Sequence, residues 1–167
     1  MSPLRARPWD WVFIVCCSTF ACTSLLFDAM PLIVGALTGD PLAWPLAPAG
    51  LQAYAAMDPM LLADPVFLRV GVAWSAFVWG PIYAYLARGF YRGHAGIRVP
   101  GLMYATGMLV SMSMVVGETL FSTQLGWRTP EPGLYLAVNL PYPLLALAVI
   151  VRLRRPSPFG GASGAPE

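Results

Sequence analysis

Residues 99–120 read VPGLMYATGMLVSMSMVVGETL, and this stretch decides the class of fold. It contains only one charged side chain, that of Glu118. A helix needs about 20 consecutive apolar residues to cross the roughly 30 Å hydrocarbon layer of a bilayer. The stretch is therefore long enough and apolar enough to predict a membrane-spanning helix.

Three further runs of the chain have the same character. Together the predicted spans are residues 11–37, 67–86, 99–120 and 134–153. Hydrophobic residues make up 57% of the chain and charged residues 11%, against about 25% charged in an ordinary soluble domain. A chain of 167 residues could not bury so much apolar surface in a soluble fold. We therefore predict an all-α, polytopic membrane protein with a four-transmembrane-helix bundle.

The first run could instead be a cleaved signal peptide, because Arg5 and Arg7 precede it. Its apolar stretch exceeds the usual length of about 7–15 residues, however, and it contains Asp28. We therefore predict a retained helix. The membrane domain is expected to cover residues 1–159, and the Gly- and Ala-rich residues 160–167 are predicted to form a disordered tail.

The longest connection runs over residues 38–66 and contains five prolines. It is too apolar for a disordered tether, and a loop of this length is usually functional. We expect it to lie at the membrane surface and to fold back over the bundle.

The arginines predict the orientation. In a four-span topology eight of the ten lie on one side, and only Arg69 and Arg128 lie on the other. Cytoplasmic loops carry the excess of arginine and lysine, so both termini are predicted to be cytoplasmic. The absence of lysine and the abundance of alanine favour a GC-rich bacterium and its inner membrane; a eukaryotic chain would be expected in the endoplasmic reticulum. The eight arginines are Arg5, Arg7, Arg88, Arg92, Arg98, Arg152, Arg154 and Arg155.

Two carboxylates, those of Asp28 and Glu118, fall inside predicted spans. A charge at the bilayer centre costs about 2.5–3.5 kcal/mol on insertion scales, so such residues are functional candidates by default. The structural alternative is that each lies near the outer end of its helix and reaches the headgroups or caps a neighbour.

Each predicted span has one face of small, polar or aromatic side chains at a spacing of three or four residues. If these faces converge, they enclose an aromatic-lined cavity with two acids and an amide, which is typical of a small-molecule site. The alternatives are helix-packing seams, interface anchoring by tryptophans and, for Asn139, hydrogen bonding to carbonyls that Pro141 and Pro143 leave free. The faces are Cys17, Ala21, Ser24 and Asp28; Trp74, Val78, Pro81 and Tyr85; Tyr104, Gly107, Ser111, Met114 and Glu118; and Tyr135, Asn139 and Tyr142.

Metal and cofactor chemistry has no signal in the sequence. Cys16, Cys17 and Cys22 lie within the first span and are predicted to be free thiols. The single histidine, His94, lies in a loop, so no metal-ligand spacing is present. We expect no metal and no cofactor. A net charge of +2 gives no indication of a nucleic-acid partner.

Several short motifs occur in an order that resembles the EXPERA family, which includes the sigma-2 receptor, the emopamil-binding sterol isomerase and the transmembrane 6 superfamily proteins. The resemblance extends from about Trp9 to Phe159. The motifs are Leu26-Phe27-Asp28, Tyr54-Ala55, Asp58-Pro59, Pro81 with Tyr85, Ile97-Arg98-Val99-Pro100 with Tyr104, Glu118-Thr119, Asn139-Leu140-Pro141-Tyr142 and Arg155-Pro156-Ser157-Pro158-Phe159.

The resemblance implies a four-helix membrane bundle with a cavity for sterols and cationic amphiphiles. Asp28 and Asp58 are similar to two loop-side aspartates of the receptor branch. Glu118, Asn139 and Tyr142 are similar to the isomerase residues that transfer a proton, assist that transfer and face a carbocation. The chain departs from both branches, because its first helix lacks the isomerase's histidine and glutamate and its second helix lacks the receptor's acid.

Three functions remain open at this point. The first is a non-catalytic binder of a lipid, sterol or cationic amphiphile. The second is a double-bond isomerase with Glu118 as acid, Asp28 or Glu118 as base, and Tyr142 and Trp74 stabilising the cation. The third is a structural subunit without a ligand. The expected partner is a lipid or sterol-like molecule, and a homodimer is left open. The candidate ligand-binding residues are Asp28, Asp58, Trp74, Tyr104, Glu118, Asn139 and Tyr142.

Overall fold

The computed structural model describes residues 3–40, 43–63, 65–124, 126–155 and 158–159. Four helices in this part of the chain are long and apolar enough to cross a membrane, and the described residues contain no strand. The predicted all-α, four-span architecture is confirmed. The predicted tail at residues 160–167 lies outside the described residues. The helices are Asp10–Thr38, Val66–Arg92, Ala95–Phe121 and Pro132–Leu153, called the first to fourth spans below.

The second span is the one whose length differs most from the prediction, since its helix continues from residue 86 to Arg92. The last turn carries Arg88 and Arg92, so hydropathy alone ends the span too early. Gly93 then adopts a left-handed conformation with φ of 66° and ends the helix. Glycine adopts this conformation without the steric cost that a Cβ imposes.

Consecutive spans run antiparallel, so the start of the first span lies beside the end of the second. Phe13 stacks on Phe90 with ring centroids 4.7 Å apart, and Leu153 at the end of the fourth span reaches Gly101 near the start of the third. The arginine-rich ends of all four spans therefore lie at one end of the bundle. This arrangement agrees with the prediction that these arginines share one side.

Two segments of π-helix interrupt the first two spans, at Ser24–Ala29 and Ser75–Trp79. Each precedes a proline, Pro31 or Pro81, and each proline lacks the N–H that would bond the carbonyl four residues earlier. The wider π turn accommodates the proline ring without ending the helix. The two segments pack against each other, so the irregular backbone is buried between helices.

Glycines on the third span allow close approach of neighbouring helices. A Cβ on Gly107 would lie 2.7 Å from Cη2 of Trp79, and one on Gly101 would lie 2.5 Å from Cδ1 of Leu153. Both distances are far below van der Waals contact. The third span is therefore fixed against the second and fourth by shape.

The loop after the first span folds back over the bundle, as predicted, and contains the helices Ala47–Ala55 and Met60–Ala63. The indole N–H of Trp44 donates to the Leu26 carbonyl at 2.9 Å. Gly50 packs so closely on Phe27 that a Cβ would lie 3.1 Å from its ring. Further along the loop, the Thr129 hydroxyl donates to the Met57 carbonyl at 2.6 Å.

An ion cluster that the sequence did not predict ties the two termini of the bundle together. Asp10 is 1% exposed and accepts from Arg7 at 2.5 Å and from Nε of Arg152 at 2.8 Å. Both guanidinium groups lie over the ring of Phe159, at 5.1 and 4.8 Å from its centroid. Arg7 also donates to the carbonyl of Phe90 at 3.0 Å. The first, second and fourth spans are therefore held together at the arginine-rich end.

Candidate functional site

Aromatic side chains fill the middle of the bundle. Tyr104 is fully buried and packs edge-on against Tyr83 and Trp79, with centroid distances of 5.1 and 5.6 Å. Tyr142 stacks on Phe20 at 4.3 Å, and Phe20 packs edge-on against Tyr83 at 5.5 Å. The predicted convergence of aromatic faces from the third and fourth spans is present, and its side chains pack directly on one another.

The interior face of the second span differs from the predicted one. Trp74 and Tyr85 are 50% and 43% exposed, and Pro81 is exposed. The prediction chose the outward face because it carries aromatic rings at both ends of the span. The inward face has the same spacing of three and four residues. Apart from Gly80 and Gly89, the buried residues on this span are Ala76, Trp79, Tyr83, Leu86 and Phe90.

Asp28 lies in the first π segment, and Ser75 begins the second. The Ser75 hydroxyl donates to Oδ2 of Asp28 at 2.7 Å, and it lies 3.3 Å from the Ser24 hydroxyl. Ser24 is 3% exposed. Asp28 also lies within electrostatic range of Tyr142. The predicted inward face of the first span is thus correct, and the two π turns bring a carboxylate and two hydroxyls together beside the aromatic interior.

A second polar group lies where the loop helix Ala47–Ala55 meets the fourth span. The Tyr54 hydroxyl donates to Oδ1 of Asn139 at 2.8 Å. The amide nitrogen of Asn139 donates to the carbonyl of Tyr135, one turn earlier, at 2.9 Å. Neither nearby proline would leave that carbonyl free, so the predicted proline compensation does not describe this bond. Burial raises the pKa of Tyr54, which is therefore a neutral donor at physiological pH.

Asp58 lies beside this second group and is 2% exposed. Burial raises the pKa of its carboxyl to about 6, although the backbone N–H of Met60 acts in the opposite direction. Among the described residues, Oδ1 of Asp58 and the hydroxyls of Thr119 and Tyr135 are buried without a hydrogen-bond partner. The Thr119 and Tyr135 side chains approach each other, but not with hydrogen-bond geometry. Three unpaired polar groups at one place favour a site that accepts a polar group.

Glu118 is half-buried, and its Oε1 accepts from the hydroxyl of Ser122 on the same helix at 2.7 Å. Among the described residues, no hydrogen bond joins Glu118 to Asp28. Trp74 packs edge-on against Trp79 at 5.9 Å from the outer side. The predicted site residues therefore fall into an inner group with Asp28, Tyr104 and Tyr142, an outer group with Asp58 and Asn139, and two side chains, Glu118 and Trp74, at the periphery.

Two surface grooves are formed by described residues, and neither lies at the centre. One is apolar, holds about 400 Å³ and lies between the first two spans. The other, of about 490 Å³, lies at the arginine-rich end. The part of the chain that the structure describes contains no group of three His, Cys, Asp or Glu side chains that could hold a metal ion. The apolar groove is lined by Leu32, Ile33, Ala36, Leu37, Ala73 and Phe77.

Comparison with known proteins gives one family. No curated protein and no solved structure matches the chain. The sequence model described as EBP: EXPERA (EXPanded EBP superfamily) matches residues 46–153. This is more than half of the chain and includes the loop and the last three spans, whereas the first span and Asp28 precede it. The chain therefore belongs to the EXPERA family.

Proposed function

We propose that the chain binds a sterol-like or other amphiphilic lipid within the membrane. The observation that carries this proposal is the position of Asp28, a carboxylate within a span beside a densely aromatic interior. A charge at the bilayer centre is unfavourable by about 2.5–3.5 kcal/mol on insertion scales. Within the described chain, no arginine pairs with Asp28. Its carboxylate accepts a hydrogen bond from the hydroxyl of Ser75.

The ligand's polar group would bind at Asp28, and its apolar body would lie against the aromatic rings. A sterol hydroxyl would donate to the carboxylate. A cationic amine would pair with it and gain about 0.5–2 kcal/mol from each favourable cation–π contact with Tyr142 or Tyr104. Because the rings of Tyr142 and Phe20 pack directly on each other, ligand entry requires the aromatic side chains to separate. The unpaired groups around Asp58 offer a second polar anchor at the outer end.

Sterol-type isomerisation is the alternative activity, because Glu118 and Asp28 are both carboxylates within spans. Moving a double bond requires one acid and one base at the same ligand. Glu118 would donate the proton, Asp28 or Glu118 would remove one, and Tyr142 with Trp74 would stabilise the cation between the two steps. Asn139 would assist the transfer. A movement of the third span towards Asp28 is needed for this arrangement.

The test is native mass spectrometry of the detergent-purified protein, with the bound lipid extracted and identified. We expect one lipid species at a stoichiometric ratio in the wild type, its loss in Asp28→Asn and its retention in Glu131→Gln. The control removes one negative charge from an exposed position. An absence of any discrete lipid, or equal loss in the control, would leave a structural subunit as the function. The same spectra report whether the protein is a homodimer.

The identified lipid then separates binding from catalysis. Protein in nanodiscs is incubated with that lipid, and the products are analysed by gas chromatography and mass spectrometry. An isomerase would convert the lipid, and Glu118→Gln would abolish turnover while preserving binding. Unchanged turnover in Glu118→Gln would refute the isomerase mechanism, and no conversion by the wild type would leave a binding protein.

We also propose that the arginine-rich end faces the cytoplasm of a bacterium, with the chain in the inner membrane. Eight arginines at one end of the bundle support this orientation. Fusions of the carboxyl terminus to green fluorescent protein and to alkaline phosphatase test it. We expect fluorescence and no phosphatase activity; the opposite result would reverse the topology.

A further inference from the structure

The second surface groove lies at the arginine-rich end of the bundle, away from the aromatic interior. It holds about 490 Å³, within the range of about 300–1,000 Å³ that is typical of small-molecule pockets. Its character is cationic, unlike that of the groove between the first two spans. It is lined by Tyr85, Arg88, Gly89, Arg92 and His94.

The helix end and the turn after it build this groove. Arg88 and Arg92 are four residues apart, so their side chains project from the same helical face. Gly93 reverses the chain with φ of 66°, and the backbone N–H of His94 donates to the Gly89 carbonyl at 2.9 Å. The turn thereby brings His94 into the groove that Arg88 and Arg92 also line.

Gly89 fixes the segment that follows the turn. A Cβ at this position would lie 2.0 Å from Cγ2 of Ile97, which is fully buried. Only glycine allows the turn to pack so closely on the second span. The groove is therefore a feature of the packed fold and not of a free helix end.

The groove is positive because, among the described residues, no carboxylate pairs with its arginines. Arg88 and Arg92 are exposed, and in the described chain no carboxylate forms an ion pair with either. Arg7 and Arg152 at the same end differ, since both pair with Asp10. The helix C-terminus contributes only about half a negative charge, so two guanidinium charges dominate the local field. Like charges at this spacing also repel each other, and a bound anion would relieve that repulsion.

Phosphate is the anion that this geometry fits. A guanidinium group presents paired N–H donors that match two phosphate oxygens. Tyr85 is 43% exposed and lies three residues closer to the middle of the span than Arg88, or about 4.5 Å along the helix axis. A tyrosine in this position suits the boundary between headgroups and acyl chains. The groove thus combines a site for phosphate with an apolar surface on its membrane side.

We propose that this groove binds the phosphate of an anionic phospholipid headgroup. Arg88 and Arg92 donate to the phosphate oxygens, His94 closes the side that faces water, and the ring of Tyr85 packs against the glycerol and the first acyl carbons. Free inorganic phosphate has the same charged chemistry but no part that would contact Tyr85. This groove is separate from Asp28 and from the lipid site proposed there.

The experiment measures phosphatidylglycerol binding to the detergent-solubilised full chain by native mass spectrometry. The variant is Arg88→Gln/Arg92→Gln, and its matched control is Arg154→Gln/Arg155→Gln, which removes the same charge from exposed positions at the same end. Each arginine near an anionic headgroup contributes about 1 kcal/mol, and about 1.4 kcal/mol is tenfold in affinity. We therefore expect roughly 30-fold weaker binding in the variant and a change of less than about threefold in the control.

Three comparisons make the result decisive. Phosphatidylcholine has the same phosphate, but its choline ammonium compensates the charge, so it should bind the wild type more weakly than phosphatidylglycerol does and should lose less affinity in the variant. Arg88→Lys/Arg92→Lys keeps the charge but removes the paired donors, so its affinity should be intermediate. Tyr85→Ala should weaken phosphatidylglycerol binding but not that of inorganic phosphate. Equal affinity in the variant and the wild type, or equal loss in the control, would overturn the site. Inorganic phosphate binding as tightly as the lipid would overturn the lipid assignment.

Discussion

The substitution Asp10→Asn tests whether the ion cluster holds the ends of the bundle together. Asp10 is 1% exposed and accepts three charge-assisted bonds from Arg7 and Arg152. Asparagine keeps the shape but removes the charge, so two guanidinium groups face each other across a neutral amide. Removing one partner of a buried ion pair is unfavourable by about 3–5 kcal/mol. Since Arg152 is 23% exposed and can be partly hydrated, we expect about 3 kcal/mol.

The assay is reversible unfolding in mixed micelles, with the mole fraction of sodium dodecyl sulfate increased and tryptophan fluorescence recorded. The control is Glu131→Gln, which removes an exposed carboxylate at the other end and should change the free energy of unfolding by less than about 0.5 kcal/mol. The double variant Asp10→Asn/Arg152→Gln should recover part of this loss in the free energy of unfolding. Removing both charges of a buried pair is less destabilising than leaving one of them unpaired.

A loss in Asp10→Asn no larger than that of the control would refute the reasoning. So would an additive effect in the double variant, since residues of one network are expected to couple by about 0.5–3 kcal/mol. Phe159→Leu offers an independent measure, because it keeps an apolar side chain but removes the ring under both guanidinium groups. We expect a loss of about 1–2 kcal/mol from these contacts.

Two further predictions concern packing and pH. Gly107→Ala places a Cβ 2.7 Å from Trp79, so we expect the free energy of unfolding to fall by about 1–3 kcal/mol in the same assay. The control Gly117→Ala, whose Cβ would have nothing within 4 Å, should be neutral or stabilising by up to about 1 kcal/mol. Equal effects of the two substitutions would contradict the packing. The raised pKa of Asp58, about 6 in the folded protein against 3.8 for the free side chain, means that the folded loop binds the proton more tightly than the unfolded loop. Its stabilisation is therefore full below about pH 4 and decreases as the pH rises through about 6. The protection factors of the amides in residues 47–63, which correct for the intrinsic rise of exchange with pH, should decrease over this range in the wild type and stay constant in Asp58→Asn. A pH dependence of the protection factors that persists in Asp58→Asn would assign it to another group.

The fold was predictable because apolar length determines which segments cross a membrane. The ion cluster was missed for a related reason: Asp10 lies one residue outside the predicted first span, so it was neither an intramembrane acid nor a loop charge. Its spacing of three residues from Arg7 was the available signal. The pairing with Arg152 was not predictable, because the four-span topology places Asp10 and Arg152 at the same end of the bundle but does not specify which spans pack against each other.

The candidate site shows where local patterns stop being informative. The face with Cys17, Ser24 and Asp28 was predicted correctly, because small and polar residues in lipid mark an inward surface. The predicted inward face of the second span was wrong, because the exposed aromatic rings of Trp74 and Tyr85 resemble the lining of a pocket. A proline four residues after a phenylalanine in both of the first two spans indicated an altered turn. The hydrogen bond between Ser75 and Asp28 depends on both turns at once, which only the folded chain provides.

The residues of the candidate site are divided between the part of the chain that the family model matches and the first span, which precedes it. The family match covers residues 46–153 and so includes Ser75, Tyr104 and Tyr142, but not Asp28. The matched part therefore supplies the serine and the aromatic rings, whereas the first span supplies the acid that they hold. Function resides in the residues placed on the fold, and the proposed lipid site therefore depends on Asp28, a residue that the family match does not include.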